Sequence, residues 1–113
     1  MHKRGDLLLV PFPFTDLSAT KRRPVVALTS PDGYGDFIAL PVTSRPQAEH
    51  GIPITPADLT QGRLPAPSWI RTDRIVTLNA NLVVKSIGEI SDRALDAAVA
   101  KFCAVIGYRM SDV

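Results

Sequence analysis

The stretch KRRPVVAL at residues 21–28 decides our interpretation of the fold, because a basic cluster in it runs directly into an apolar segment. Its valines are β-branched, so we predict a strand over residues 25–29 with the basic cluster at its entrance. Three neighbouring cations suit a polyanion such as a nucleic-acid backbone. Pro24 fixes its own φ at about −65°, which would hold Arg23 in a defined pose.

Further short strands are predicted on both sides of this segment. The apolar runs at residues 7–10, 37–40 and 82–88 indicate strands, and residues 68–77 indicate a strand with a bulge or break. Residues 52–54 contain a proline, which favours an edge strand. Residues 12–21 are expected to form a long loop, and residues 59–67 a loop or a short helical turn.

The end of the chain predicts a helix. All ten prolines lie at or before Pro67. Ser91 is a suitable N-cap, and Gly107 is a natural stop. Between them, apolar residues recur at helical spacing, at positions 95, 99, 102 and 106. The predicted fold is mainly β with a C-terminal helix, a small curled sheet or barrel in a single domain spanning residues 1–113.

Composition limits the classes of function. The chain is 45% hydrophobic and 21% charged, which is typical of a globular protein. Its net charge of +2 is too small to indicate a nucleic-acid partner, so only the local basic cluster does so. Cys103 is the single cysteine, which fits a reducing cytoplasm. No apolar run approaches the roughly 20 residues of a membrane span.

Three clusters, at residues 21–24, 41–45 and 71–74, supply guanidinium groups, hydroxyls and one carboxylate. These groups suit metal-independent cleavage of an RNA phosphodiester. Arginine binds phosphate through two parallel hydrogen bonds, a carboxylate can act as a base, and a threonine hydroxyl can donate to a phosphate oxygen. Each cluster taken alone is more often a solvated surface or an ordinary turn, and the pair Arg71 and Asp73 more often a surface ion pair.

Several other residues leave alternatives open. Phe12, Phe14 and Trp69 could stack on bases, although core packing is at least as plausible for Trp69. His50 lies in a polar loop, where a solvated side chain is more common than a catalytic one. Cys103 lies near the apolar face of the predicted helix and is expected in the core.

In combination, the clusters resemble the MazF/PemK family, the ribonuclease toxins of type II toxin–antitoxin modules. The order and spacing of the matching stretches agree with the family over nearly the whole chain. These stretches are residues 5–12, 22–28, 40–44 and 71–78, and PFPFTDL at residues 11–17 resembles a PemK-like subgroup.

The resemblance implies a small SH3-like (CcdB/PemK-like) barrel of antiparallel strands and a cytoplasmic homodimer without a cofactor. It implies sequence-specific cleavage of single-stranded mRNA at short sequences without a metal (an mRNA interferase), leaving a 2′,3′-cyclic phosphate and a 5′-hydroxyl. It further implies a cognate antitoxin whose tail occupies the RNA groove. The catalytic positions that it carries over are Arg23, Thr43, Arg71 and Asp73.

A second set of residues is expected to contact RNA around these positions. Its members are Ser18, Thr20, Lys21, Arg22, Ser44 and Arg74. The first loop departs from many family members, because Ser18 and Thr20 stand where a Ser-Glu pair or a histidine is common. The acid and base of the reaction therefore remain open.

Two other functions are compatible with the same barrel. One is a non-catalytic toxin or inhibitor that binds a protein such as gyrase, since fold does not fix function. Retention of both Arg23 and Thr43 argues against it. The other is a degenerate toxin that binds RNA or antitoxin without cleaving.

Overall fold

The protein forms eight strands and one helix within residues 2–13, 20–46 and 49–109, which are the residues that the computed structural model describes. In chain order the elements are β1 (Asp6–Pro13), β2 (Thr20–Ala27), β3 (Asp36–Thr43), β4 (Gly51–Ile54), β5 (Leu59–Gly62), β6 (Ser68–Arg71), β7 (Val76–Asn79), β8 (Lys85–Ile90) and helix α1 (Asp92–Val105). Two short 3₁₀ turns lie at Pro56–Asp58 and Ala80–Leu82.

The strands form one curved antiparallel sheet. Its order is β4-β6-β3-β2-β1-β8-β5, and β7 pairs with the first half of β3. The sheet curls into a half-barrel whose two edges are β4 and β5. The predicted fold class, mainly antiparallel β-structure with a C-terminal helix, is confirmed, and β4 is the edge strand that its proline predicts.

The basic cluster at residues 21–24 lies inside β2 rather than ahead of it, so the prediction of a strand entrance is wrong. β1 and β2 form a long two-stranded ribbon that continues to the pair Pro13–Thr20. The pairing of β2 with β3 covers only residues 25–27 of β2. Pro24 is therefore next to β1 alone, and a proline is tolerated where one side of a strand has no partner.

Three other boundaries differ from the predictions. Residues 59–62 form strand β5, which pairs with β8, where a loop or helical turn was predicted. The predicted break within residues 68–77 is a four-residue turn that separates β6 from β7. β8 begins at Lys85 and not at residue 82, because a 3₁₀ turn precedes it.

Helix α1 begins and ends as the sequence predicts. The hydroxyl of Ser91 accepts a hydrogen bond from the N–H of Ala94 at 3.2 Å, which caps the helix. Gly107 follows the helix with φ at +91°, a conformation that favours glycine. Ile106 is 63% exposed and so does not extend the apolar face as predicted, and Cys103 is only half-buried. No helix in the described part of the chain is long and apolar enough to span a membrane.

Both faces of the sheet are packed. On the face under α1, Leu95 and Ala98 of the helix join a cluster with Leu7, Val26, Leu40, Val42, Ile70 and Ile90. On the other face, a second cluster contains Leu8, Val10, Val25, Ala27, Phe37 and Ala39. We call these the helix face and the open face. Because successive side chains of a strand alternate between the two, each central strand contributes to both.

Candidate active site

The site lies where β2 and β3 separate. Their ladder ends at the pair Val25–Pro41, and beyond it β3 is paired only with β6, its neighbour on the other side. Two residues past the end of the ladder stand Arg23 on β2 and Thr43 on β3. A cavity of about 390 Å³ opens there, lined by Arg22, Arg23, Pro24, Val42, Thr43, Ser44, Arg45, Leu64, Pro65, Ala66 and Ser68. The fold thus brings together two of the four predicted catalytic residues.

Strand alternation places Arg23 and Thr43 on the open face. Val25 and Pro41 are cross-strand partners, and such partners share a face of the sheet. Arg23 lies two residues from Val25 and Thr43 two residues from Pro41, so both continue the same face. The two side chains therefore belong to the face opposite α1, just beyond the end of its apolar cluster.

The Thr43 side chain is held in one position. It is only 7% exposed, and its Oγ1 accepts a hydrogen bond from the N–H of Arg45 at 3.1 Å. Within the described residues its hydroxyl donates to no acceptor. A hydroxyl can both donate and accept, so the proton of Thr43 is available to a phosphate oxygen in the cavity.

The cavity is basic and its wall is anchored. Arg22, Arg23 and Arg45 line it, and no carboxylate is among the described residues that do so. The opposite wall belongs to the segment 64–66. This segment is tied to β6 because the hydroxyl of Ser68 donates to the carbonyl of Ala66 at 2.9 Å. An anion that enters the cavity is therefore close to guanidinium groups on one side and to a wall held by a hydrogen bond to β6 on the other.

The other two predicted catalytic residues form a direct ion pair. Arg71 donates from Nε to Oδ1 of Asp73 at 3.1 Å and from Nη2 to Oδ2 at 2.8 Å, and each side chain is 26% exposed. The hydrogen bonds from Arg71 lower the pKa of Asp73, and the same bonds raise the pKa of Arg71. Both side chains, the guanidinium of Arg71 and the carboxylate of Asp73, are thus charged at neutral pH.

The ion pair lies beside the cavity without lining it. Thr43 faces Trp69 across β3 and β6, and Arg71 follows Trp69 by two residues, so all three share the open face. Thr43 and Arg71 are diagonal neighbours, a relation that separates two residues by about 7–8 Å. Long side chains reach across such a distance, so both groups can contact one extended ligand.

His50 is a neighbour of the ion pair that the sequence did not indicate. Thr72, which is fully buried, donates both its N–H and its hydroxyl to the carbonyl of His50. The pKa of Asp73 is lowered mainly by the hydrogen bonds from Arg71, with a smaller electrostatic contribution from His50. The pairing of β4 with β6 brings His50 to this place, because it sets Gly51 opposite Arg71, 20 positions away in sequence.

The residues predicted to contact RNA are distributed unevenly. Arg22 and Ser44 line the cavity. Arg74 is exposed in the turn after β6 and does not line it. Thr20 and Lys21 belong to β2, but their side chains lie outside the description, and Ser18 lies outside the described residues altogether. The structure likewise does not describe the side chains of Phe12 and Phe14, for which stacking on bases was one of the alternatives.

Comparison with known protein families gives one clear match. A family model described as PemK-like, MazF-like toxin of type II toxin–antitoxin system matches residues 3–106 of the chain. No curated protein sequence matches it.

Several solved structures share the fold at low sequence identity. A chain of the MazE–MazF complex from Deinococcus radiodurans is 20% identical with a TM-score of 0.75, covering 96% of this chain and 98% of that one. The Mycobacterium tuberculosis toxin MazF-mt6 is 17% identical with a TM-score of 0.72, covering 93% and 99%. An endoribonuclease from a mycobacterial species, in complex with its cognate antitoxin, is 16% identical with a TM-score of 0.71, covering 97% of both chains.

Proposed function

Because the chain belongs to the family of PemK-like, MazF-like toxins of type II toxin–antitoxin systems, we propose that it is an endoribonuclease toxin acting on single-stranded mRNA. The observation that carries this proposal is the convergence of Arg23 and Thr43 on one basic cavity, with the Arg71–Asp73 pair beside it. Cations, a hydroxyl donor and a carboxylate can together supply the charge stabilisation and proton transfer that phosphodiester cleavage needs. No bound metal is required by the mechanism that follows.

In the proposed reaction the ribose 2′-oxygen attacks the adjacent phosphorus. The P–O2′ bond forms, the P–O5′ bond breaks, and the products are a 2′,3′-cyclic phosphate and a 5′-hydroxyl. A base accepts the proton of the 2′-hydroxyl, and an acid supplies a proton to the 5′-oxygen. The negative charge that develops on the phosphorane must be stabilised by fixed donors.

Arg23 and Thr43 are assigned to the phosphate. Thr43 would donate its hydroxyl proton to a non-bridging oxygen, since the hydroxyl already accepts from Arg45 and has its own proton to give. Arg23 would stabilise the phosphorane or protonate the leaving oxygen. Its guanidinium lies on the same face as Thr43, so both can contact the two sides of one phosphate.

Arg71 and Asp73 are assigned to proton transfer and to a second phosphate contact. Asp73 would accept the 2′-hydroxyl proton, and its lowered pKa keeps it ionised for that task at neutral pH. The raised pKa of Arg71 means that its guanidinium holds its proton tightly. Of the two roles open to Arg71, phosphate contact and acid, its pKa therefore favours phosphate contact.

Cleavage of an RNA pool tests the proposal. Purified protein is incubated with mixed single-stranded RNA in EDTA, and the ends of the products are mapped. We expect fragments with cyclic-phosphate and 5′-hydroxyl ends, and a rate for Arg23→Ala that is about 10²–10³-fold lower because a fixed donor to the phosphorane is lost.

Arg93→Ala is the matched control, because it also removes one guanidinium but from an exposed position of α1, away from the cavity. Its rate should equal that of the wild type. Absence of cleavage by the wild type would refute the proposal, and so would undiminished cleavage by Arg23→Ala. Toxicity in cells that survives Arg23→Ala combined with Thr43→Ala would instead favour a non-catalytic inhibitor of a protein target.

We further propose a cognate antitoxin and a homodimer in the cytoplasm. Structural neighbours in complex with MazE or with a cognate antitoxin support the first. Apolar side chains left exposed on this chain support the second, because oligomer interfaces are where such side chains are covered. They include Ile75, Leu82, Val84, Val105 and Ile106. Sedimentation at micromolar concentration should give a mass above the 12.2 kDa of one chain.

A further inference from the structure

Trp69 is half-buried beside the candidate site, where it is the cross-strand partner of Thr43. It lies on β6, where the buried residues Ser68 and Ile70 alternate with the half-buried residues Trp69 and Arg71. It belongs to neither core cluster, and it is not among the partly buried apolar side chains that pack against them. Core packing, the alternative role that the sequence allows, therefore does not explain Trp69.

The polar edge of the indole also has no internal role. Within the described residues, the indole N–H of Trp69 makes no hydrogen bond, and it is not a buried unsatisfied donor. The indole is partly exposed, so its ring and its N–H are both accessible to a ligand.

The neighbours of Trp69 define what that ligand must carry. Thr43 on β3 is the direct cross-strand partner of Trp69, and Arg71 lies two residues further along β6 on the same face. Both neighbours are phosphate-directed groups in the proposed reaction. A nucleotide carries its base one ribose away from its phosphate, so a surface that recognises the base must lie beside the phosphate contact. Trp69 occupies that position.

We propose that Trp69 is the stacking platform for an unpaired base of the bound strand, the one next to the cleaved bond. The proposal rests on the proposed function for its substrate class. Stacking on an aromatic ring requires access to the π-face of the base, which a duplex hides. Stacking on Trp69 therefore favours the binding of single-stranded over double-stranded nucleic acid.

The fluorescence of the wild type supplies the first test, because Trp69 is the single tryptophan of the chain. The probe is a random-sequence DNA oligomer of roughly eight nucleotides, within the site sizes of single-strand-binding domains. It lacks the 2′-hydroxyl and cannot be cleaved by the proposed mechanism. At fixed ionic strength, we expect the oligomer to change the tryptophan emission, and an abasic oligomer of equal length to bind without this change.

Variants supply the second test, read by the anisotropy of a labelled oligomer. Trp69→Leu should bind the base-bearing oligomer about 5- to 150-fold more weakly, whereas its affinity for the abasic oligomer should be unchanged. Trp69→Phe, which keeps an aromatic ring, should retain most of the affinity. Tyr34→Leu is the matched control, since Tyr34 is 89% exposed in the turn before β3, at the end of that strand opposite Thr43.

The outcomes separate this proposal from the proposed activity. Equal emission changes with base-bearing and abasic oligomers, or equal weakening of both by Trp69→Leu, would overturn the stacking role even if RNA is cleaved. A base-dependent change of emission would sustain the stacking role even if no RNA is cleaved.

Discussion

The two faces of the curved sheet carry different tasks, although the same strands supply both. Val42 and Ile70 point to the helix face and are buried under α1, while their sequence neighbours Thr43 and Arg71 point to the open face. The helix face is closed by Leu95. The open face is apolar only until β2 and β3 separate, and beyond that point it carries hydroxyl, guanidinium and indole groups. Neighbouring residues of one strand thus serve different tasks, because one side chain stabilises the fold on the helix face and the next lies on the face of the candidate site.

The largest expected effect tests the helix face. Leu95→Ala removes a fully buried side chain from the cluster under α1, so the free energy of unfolding should fall by about 2–5 kcal/mol. Urea denaturation measures it. At a temperature where the variant is folded, RNA cleavage per folded molecule should be unchanged.

Ile106→Ala is the control for this prediction, because Ile106 is 63% exposed just after the same helix. Its effect should lie within about 0.5 kcal/mol. A loss of cleavage by fully folded Leu95→Ala would break the separation between the two faces.

The next effect tests the open face at Thr43. Thr43→Val keeps the shape but removes the hydroxyl, so cleavage should slow by about 10²–10³-fold. The unfolding free energy should fall by only about 1 kcal/mol, the usual value of the lost bond from Arg45. Single-turnover kinetics and denaturation measure the two quantities. Thr43→Ser, which restores the hydroxyl, should recover cleavage, and failure to recover would argue against a role for the hydroxyl proton.

A smaller effect is expected at Thr72, where β6 ends. Thr72→Val removes the buried hydroxyl that donates to the carbonyl of His50. The backbone N–H of residue 72 still donates to that carbonyl, so the oxygen keeps one partner. The unfolding free energy should therefore fall by about 1 kcal/mol. Thr77→Val, at an exposed position of β7, should have almost no effect. Equal effects of the two substitutions would mean that the bond to His50 contributes nothing.

The smallest effect concerns the pH dependence of the Arg71–Asp73 pair. Because the pKa of Asp73 is lower in the folded protein, the pair stabilises the fold at pH values above the ordinary carboxyl pKa of about 3.9. That stabilisation is lost as the pH falls through the lowered pKa. At neutral pH the free energy of unfolding of the wild type should exceed that of Asp73→Asn by no more than about 1 kcal/mol.

This difference should shrink towards zero in strongly acidic solution, as followed by urea denaturation at several pH values. A difference that persists there would show that the carboxylate charge is not its source.

Local sequence predicted much of the fold. Alternation and β-branching indicated most of the strands, and the serine cap with Gly107 delimited α1 correctly, because both signals are read within a few residues. Strand β5 was missed because the sequence around it is rich in turn-forming and polar residues, and its pairing with β8 stabilises it. The apolar run that begins at Val25 does not reveal that β2 already starts at Thr20, because residues 20–24 pair with β1 alone and Pro24 is acceptable within a strand only there.

The sequence by itself determined the residue types of the site, the family to which the chain belongs, and the helix that closes one face. The tertiary structure decided which residues meet. Arg23 and Thr43 line one cavity because β3 leaves β2 at Pro41, and Trp69 lies across from Thr43 because β3 pairs with β6. It also decided that His50 lies beside Asp73. Such proximities depend on long-range strand register, which is fixed by the packing of the whole sheet and not by any local pattern.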